Sequence, residues 1–284
     1  ENGIPVTSGF VRRMTHHLKQ YPQTGLFDSL NFPRNLRAGE LLLQENLARS
    51  LSAIATNGRA AFYQGEIAEA LIKGSDGWFS SQDLDRHRTR RVSPLKINYR
   101  GVDVYGQPPP SQGMILMEEL LIVEGFALAS LSEAERIHFM VEAKKIAFQD
   151  RYEMLGDPEF IDIALDNLFS KSSIDSRRAR INEKQANREP VKYNQEGSDT
   201  TYFLTADRDG NAVSWIQSVF HGFGASWAIP GTGIIMNNRL TGFSLDSNSP
   251  NLIAPGRRPA HTLNAWLATR EDGSLAYVGG TPGA

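Results

Sequence analysis

The chain has 284 residues and a mass of 31.5 kDa, with 30 Lys+Arg against 32 Asp+Glu and a formal net charge of −2. Hydrophobic residues make up 40% and charged residues 22%, a composition that excludes a disordered chain, and the even charge balance gives nucleic acid no electrostatic footprint. Cysteine is absent, which excludes a disulfide scaffold, a thiolate nucleophile and a Cys-ligated metal together.

The first helix expected runs from Glu40 to Ala55, with Leu43, Leu47, Leu51 and Ile54 at helical spacing, and Ala60 to Lys73 continues with Phe62, Ile67, Ala70 and Leu71. Lys96 to Tyr105 reads as a strand pair turning near Arg100-Gly101. Gln107 to Gly113 holds three consecutive prolines, Pro108, Pro109 and Pro110. These remove three N–H donors and force an irregular loop, after which Gly113 opens a helix. The longest apolar run, Met114 to Ala129, is interrupted by Glu118, Glu119 and Glu124. It falls short of the about 20 mostly apolar residues that span a bilayer, so no membrane partner is expected.

The clearest helix is Ser132 to Leu155. Ser132 with Glu135 gives a capping box. Ile137, Met140, Val141, Phe148, Tyr152 and Leu155 read as its apolar stripe, and Gly156-Asp157-Pro158 stops it. Ser170 to Gly197 is polar and charged and reads as a solvated, mobile linker. The period then changes. Thr200 to Ala206 and Ala212 to Val219 are strand-like, and Asp207-Arg208-Asp209-Gly210-Asn211 is the turn of a hairpin. No signal-peptide pattern follows Glu1, and the chain stops in a loop-like sequence, so it reads as a fragment. The compartment reads as cytoplasmic ahead of periplasmic or secreted.

Several motifs lead nowhere. Asp207-x-Asp209-Gly210 lacks the Gly and Glu spacing of a calcium loop. Gly222-x-Gly224 has Trp227 where a dinucleotide fingerprint needs its third Gly. His221-Gly222-Phe223-Gly224 is similar to a lipase oxyanion loop, but no G-x-S-x-G elbow exists to make a serine hydrolase. The six His form no zinc-binding spacing, and neither a metal nor a cofactor is expected. His138 reads as structural, while His221 and His261 lie in loops and face a ligand more readily.

A hydroxyl residue heading a strand straight after a polar segment suits one chemistry. In N-terminal nucleophile hydrolases the chain cuts itself before a Thr, Ser or Cys. The freed residue then supplies both the nucleophilic oxygen and, through its α-amine, the base. An α-amine titrates at about 7.7–8.0, near working pH, as a general base should.

Several segments together single out Thr200. Gln107 to Gly113, Leu47-Ala48-Arg49 through Gly65, and Ala143 through Pro158 carry part of the pattern. Asp199-Thr200-Thr201-Tyr202-Phe203 running into Asn211-Ala212-Val213, Gly233 through Asn238, and Pro255 through Pro259 carry the rest. In these the chain resembles the γ-glutamyltransferase family over nearly its whole length. The resemblance implies an α+β, four-layer αββα sandwich built by a large-subunit portion, 1–199, and a small-subunit portion, 200–284, cut from one precursor at Asp199–Thr200. It implies Thr200 as nucleophile, Ser218 as the hydroxyl that bonds it, and backbone N–H groups of Gly283 and Ala284 as the oxyanion hole. The partners implied are a small amide substrate and water or an amine acceptor.

The departures from the family fall on its substrate-binding positions. Phe220 stands in place of an Asn, Arg239 in place of a Gln beside Asn238, Gly242 in place of the Asp that binds the substrate ammonium, and His261-Thr262 in place of a Ser pair. Losing the Asp removes a counter-charge. Arg239 either offers a fork for a carboxylate or makes a structural ion pair. The family activity, transfer or hydrolysis of a γ-glutamyl-type acyl group, therefore stands beside an amidohydrolase of altered pocket, such as one acting on oxamate, and beside a non-catalytic metabolite-binding relative.

Overall fold

The computed structural model describes residues 2–189 and 199–280, and the chain divides into two compact units. The first unit joins residues 1–91 to 219–238. Here β1 (Ile4–Pro5) pairs antiparallel with β2 (Leu41–Leu42), and α1 (Ser8–Gln20) and α2 (Leu26–Ser29) lie between them in sequence. They are followed by α3 (Glu45–Asn57), α4 (Arg59–Tyr63), α5 (Glu66–Gly74) and α6 (Ser81–Arg86). The α1 helix starts where the Thr7 hydroxyl accepts from Phe10 N–H at 3.1 Å. Its buried side collects Met14, Leu26, Phe27 and Phe32, with Phe223 edge-on to Phe27 at 5.0 Å between ring centroids.

The expected 40–55 helix begins later than its leucines suggest. Leu41 and Leu42 are taken by the strand pair, and Leu43 and Leu51 remain about half exposed. The 60–73 segment breaks in two at Gln64-Gly65, where a Cβ on Gly65 would stand 3.1 Å from Ala61 O.

The second unit joins 92–218 to 239–284. It contains β3 (Leu95–Tyr99), β4 (Val102–Gly106), α7 (Gly113–Glu124), α8 (Glu133–Met154), α9 (Leu165–Leu168) and α10 (Lys171–Arg178). A hairpin of β5 (Asp199–Ala206) and β6 (Ala212–Phe220) follows, β6 running on into the first unit, and then β7 (Ala265–Thr269) and β8 (Leu275–Gly280). A four-stranded antiparallel sheet, β3-β4-β7-β8, packs Ile97, Val104 and Ala268 against Met117 of α7. The β3–β4 turn needs positive φ at both Arg100 (49°) and Gly101 (86°), the twist that suits a tight hairpin. Helix and antiparallel sheet are thus segregated, as in α+β proteins. No helix among the described residues is long and apolar enough to cross a membrane.

Two expectations fail here. The Ile137, Met140 and Val141 positions of α8 are exposed, and its buried face is Phe139, Glu142, Ala143, Ile146, Ala147, Asp150 and Arg151. Glu142 and Asp150 are tolerated because they are paired, with Lys145 and Arg177, and Arg151 lies over the rings of Phe148 and Tyr152. Nor is 170–189 a solvated linker: α10 buries Ile174, and Arg178 donates to the carbonyls of Leu121 and Ile122 at 2.8 and 2.9 Å. Lys145 bridges Glu142 and Asn187 O, and Glu142 accepts from Asn187 N–H at 3.2 Å.

Arg177 of α10 reaches Glu118 at 2.8 Å and Asp150 at 2.5 Å, tying α7, α8 and α10 together. Burial and then the neighbouring Asp150 push the Glu118 carboxyl up to about 9, against the opposing pull of Arg177. At neutral pH the group is protonated when folded and ionised when unfolded. Folding stability therefore falls as pH rises from the ordinary carboxylate range towards about 9. Thermal melts across that range should show this slope, and Glu118→Gln should flatten it.

Candidate active site

The hairpin turn closes on one side chain. Asp207 Oδ1 accepts from Asp209 N–H at 2.9 Å and Asn211 N–H at 3.0 Å, and Gly210 takes a φ of 86°. The strands it joins alternate. Thr200 and Tyr202 are partly buried, whereas Thr201 and Phe203 are exposed on the other face. On the buried face Thr200 Oγ1 donates to Ser218 Oγ at 3.0 Å. Tyr202 and Ser214 hydroxyls lie 3.0 Å apart, and Ser214 donates to Gly279 O at 2.9 Å. Tyr202 also lies over Gly280, where an added Cβ would come within 2.4 Å of its ring. A tyrosine and a serine thus fix the hairpin against β8. The alternation carried a signal for both that the sequence reading passed over.

A second group sits at 239–263. Arg239 and Gly242 lie in a one-turn 3-10 segment, and Arg239 donates to Thr262 Oγ1 at 3.4 Å. Asn251 staples this turn to the next strand of chain, donating to Gly242 O at 2.7 Å and accepting from Ala260 N–H at 2.8 Å. Nothing in the sequence singled out Asn251. The proline loop holds the same segment from behind. Ser111 donates to Leu263 O, Gln112 donates to Thr262 O at 3.3 Å, and His261 N–H donates to Pro110 O at 3.0 Å. Gly113 is needed for this fit, since a Cβ there would stand 2.2 Å from Gln107 O.

His261 is neutral. Burial, then the positive charges of Arg239 and Arg258, lower it to about 4. Arg258 is itself engaged. Its backbone N–H, Nε and Nη2 reach the Asp157 carboxylate at 2.8, 3.2 and 2.6 Å.

The third group belongs to the first unit. Phe220 is buried with a φ of 79°, strained for a bulky residue, and its ring stacks on His221 at 4.5 Å. Asn238 accepts from His221 N–H at 3.0 Å and donates from Nδ2 to His221 Nδ1 at 2.6 Å. That leaves the His221 proton on Nε2. Gly224 admits no Cβ, which would fall 2.1 Å from Met236 O.

Thr200 and Ser218 are therefore brought together, as are Arg239, Gly242, His261 and Thr262, and Phe220 with Asn238. Gly283 and Ala284 lie outside the described residues, as do 190–198 upstream of the expected cut. Among the described residues no group of His, Asp and Glu is disposed to hold a metal ion.

The family model for gamma-glutamyltranspeptidase matches residues 1–284. The chain belongs to that family. The chain is 35% identical over 274 residues to a glutathione hydrolase proenzyme of Pseudomonas sp. strain A14, covering 89% of this chain and 48% of that one. It is 32% identical over 288 residues to the oxamate amidohydrolase proenzyme of Klebsiella pneumoniae, covering 100% and 54%. The crystal structure of cephalosporin acylase from Bacillus halodurans superposes with a TM-score of 0.85 at 31% identity, covering 97% of this chain and 52% of that one. This likeness shows the fold class, α+β of the N-terminal nucleophile hydrolase type. The chain spans about half the length of these relatives.

Replacing Asn251 with Ala removes both arms of its staple and strands two partly buried backbone groups, at a cost of roughly 2–3 kcal/mol. Urea titration of the variant should show a lower midpoint with an unchanged slope.

Proposed function

We propose that the chain is the core of a self-processing amidohydrolase or acyltransferase that works through an acyl ester on Thr200. The observation that carries the reading is the 3.0 Å bond from Thr200 Oγ1 to Ser218 Oγ at the head of β5. It fixes the rotamer of the attacking hydroxyl and leaves an oxygen lone pair for the substrate. Membership of the family supports it further, as do relatives named as proenzymes.

In the precursor, Thr200 N is an amide and carries no usable lone pair. Cleavage of Asp199–Thr200 frees an amine that titrates at about 7.7–8.0. In turnover, Thr200 Oγ attacks the substrate's amide carbon and its proton passes to the α-amine. The proton then moves to the departing nitrogen as the C–N bond breaks, leaving an acyl ester and a free amine product. Water attacks that ester in hydrolysis and a second amine attacks it in transfer. Either step returns the proton to Thr200 Oγ. Ser218 holds the nucleophile and relays no net charge, and backbone N–H groups of Gly283 and Ala284 serve the developing oxyanion. Glutathione-type γ-glutamyl amides are the family's acyl donors. The amide of oxamate and the acyl group of a cephalosporin are the alternatives that the relatives' names offer.

Intact-mass analysis tests the processing step. The wild-type chain should part between Asp199 and Thr200 with a free threonine amine. Thr200→Ala should leave it whole and inactive. Thr201→Ala, on the exposed face, should still be cut. A wild-type chain that stays uncut yet turns over amides would reject the reading. Ser218→Ala should be cut and turn over more slowly, by about tenfold or more, because the partly buried Thr200 hydroxyl loses its acceptor.

A further inference from the structure

The end of β8 is gripped from both faces. Gly279 lies against the ring of Trp266, its cross-strand partner on β7, where an added Cβ would come within 2.2 Å. Gly280 faces the other way and lies against Tyr202, where an added Cβ would come within 2.4 Å. Two glycines in a row let both rings close onto the backbone, and the strand end is wedged between them.

Polar atoms fix the same place along the strand. Ser214 Oγ donates its one proton to Gly279 O at 2.9 Å. The Tyr202 hydroxyl, 3.0 Å from Ser214 Oγ, is therefore the donor of that pair. A directed line of hydrogen bonds thus runs from β5 through β6 to β8. Tyr202 and Ser214 share the partly buried face of the hairpin with Thr200 and Ser218.

One tyrosine therefore registers three strands, through its hydroxyl to β6 and β8 and through its ring to Gly280. What this controls is a distance. Thr200 stands two residues before Tyr202 on the same strand, and β8 leads at Gly280 into the sequence to which the oxyanion donors, Gly283 and Ala284, are assigned. Attack on an amide needs the reacting atoms about 3–3.5 Å apart and aligned, and a misplacement of about 1 Å can cost about 100-fold in rate.

Resting on the acyl-Thr200 reading, we propose that Tyr202 and Ser214 are positioning residues for acylation of Thr200, holding the nucleophile's strand in register with the end of β8. The step they serve is the one already described. Thr200 Oγ bonds to the amide carbon, the C–N bond breaks, and the proton passes through the α-amine to the departing nitrogen. Tyr202 and Ser214 exchange no proton with the substrate, so they act on the chemical step and not on substrate binding.

The test uses the full chain and reads processing and turnover separately. Intact mass records the cut between Asp199 and Thr200. Turnover is followed on γ-glutamyl-p-nitroanilide and on oxamate, and the faster reaction is used. Tyr202→Phe keeps the ring against Gly280 and removes the donor to Ser214. It should still be cut, and kcat should fall by about tenfold with KM within about twofold of wild type. Ser214→Ala should behave alike. The double variant should lose no more than the worse single one, because two links of one line fail together. Ser214→Thr keeps a hydroxyl and should recover most of kcat.

A merely structural role would lower the melting temperature and leave kcat of the cut protein, measured well below the melt, at its wild-type value. That result would overturn the proposal. A loss confined to KM would overturn it too, by placing the pair in binding. A cut, active wild-type chain beside unchanged variants would sink this proposal alone. A wild-type chain idle on both compounds would also overturn it, and one that is uncut as well would take the acyl-Thr200 reading with it.

Discussion

A hydroxyl-to-hydroxyl bond across one hairpin organises the candidate chemistry. Thr200 and Ser218 face each other because the turn at Asp207 pairs β5 with β6, and because the two-residue period of a strand puts Thr200 and Tyr202 on one face and Thr201 on the other. A slip of one residue would present Thr201 and bury Phe203 instead. Tyr202 and Ser214 guard against that slip, since their hydroxyls meet each other and Gly279. The contact of Tyr202 with Gly280 adds a steric check.

The rest of the second unit can be read as support for that face. The sheet β3-β4-β7-β8 carries β8 to the hairpin, α7 covers its apolar side, and α8 packs on α7. Charge is used inside this layer at a cost. Glu118 and Asp150 are buried and meet the partly buried Arg177, an arrangement that favours one geometry more than it favours stability. The proton held on Glu118 removes one negative charge from this buried cluster. The segment ahead of the proposed cut is bound as far as Asn187 by Lys145 and Glu142. The large portion would therefore keep its last described contacts after cleavage.

Much of this was legible in the sequence, for identifiable reasons. The capping box at Ser132, the Arg100-Gly101 turn, the proline loop and the Asp-Gly hairpin are local signals, and each appears where its residues stand. The failures are tertiary. Met140 and Val141 look like core and are exposed, while Glu142 and Asp150 look like surface and are buried, because Asn187 N–H and Arg177 reach them from the polar stretch after Ser170. That stretch read as solvated for the same reason: its arginines look free until Glu118 and the carbonyls of Leu121 and Ile122 come into view. Within the site, Thr200 and Ser218 came from resemblance and their contact from the hairpin. Asn251, which ties Gly242 O to Ala260 N–H, had no sequence signal at all.

The central claim is that one threonine oxygen carries the acyl group. It is tested most directly by quenching the protein in acid during turnover of a slow amide or ester donor and mapping the adduct by tandem mass spectrometry. The account predicts the acyl mass on the Thr200 side-chain oxygen of a peptide that begins at Thr200. An adduct on Ser218, on Ser226 beside His17, or on a peptide still joined to Asp199 would contradict it.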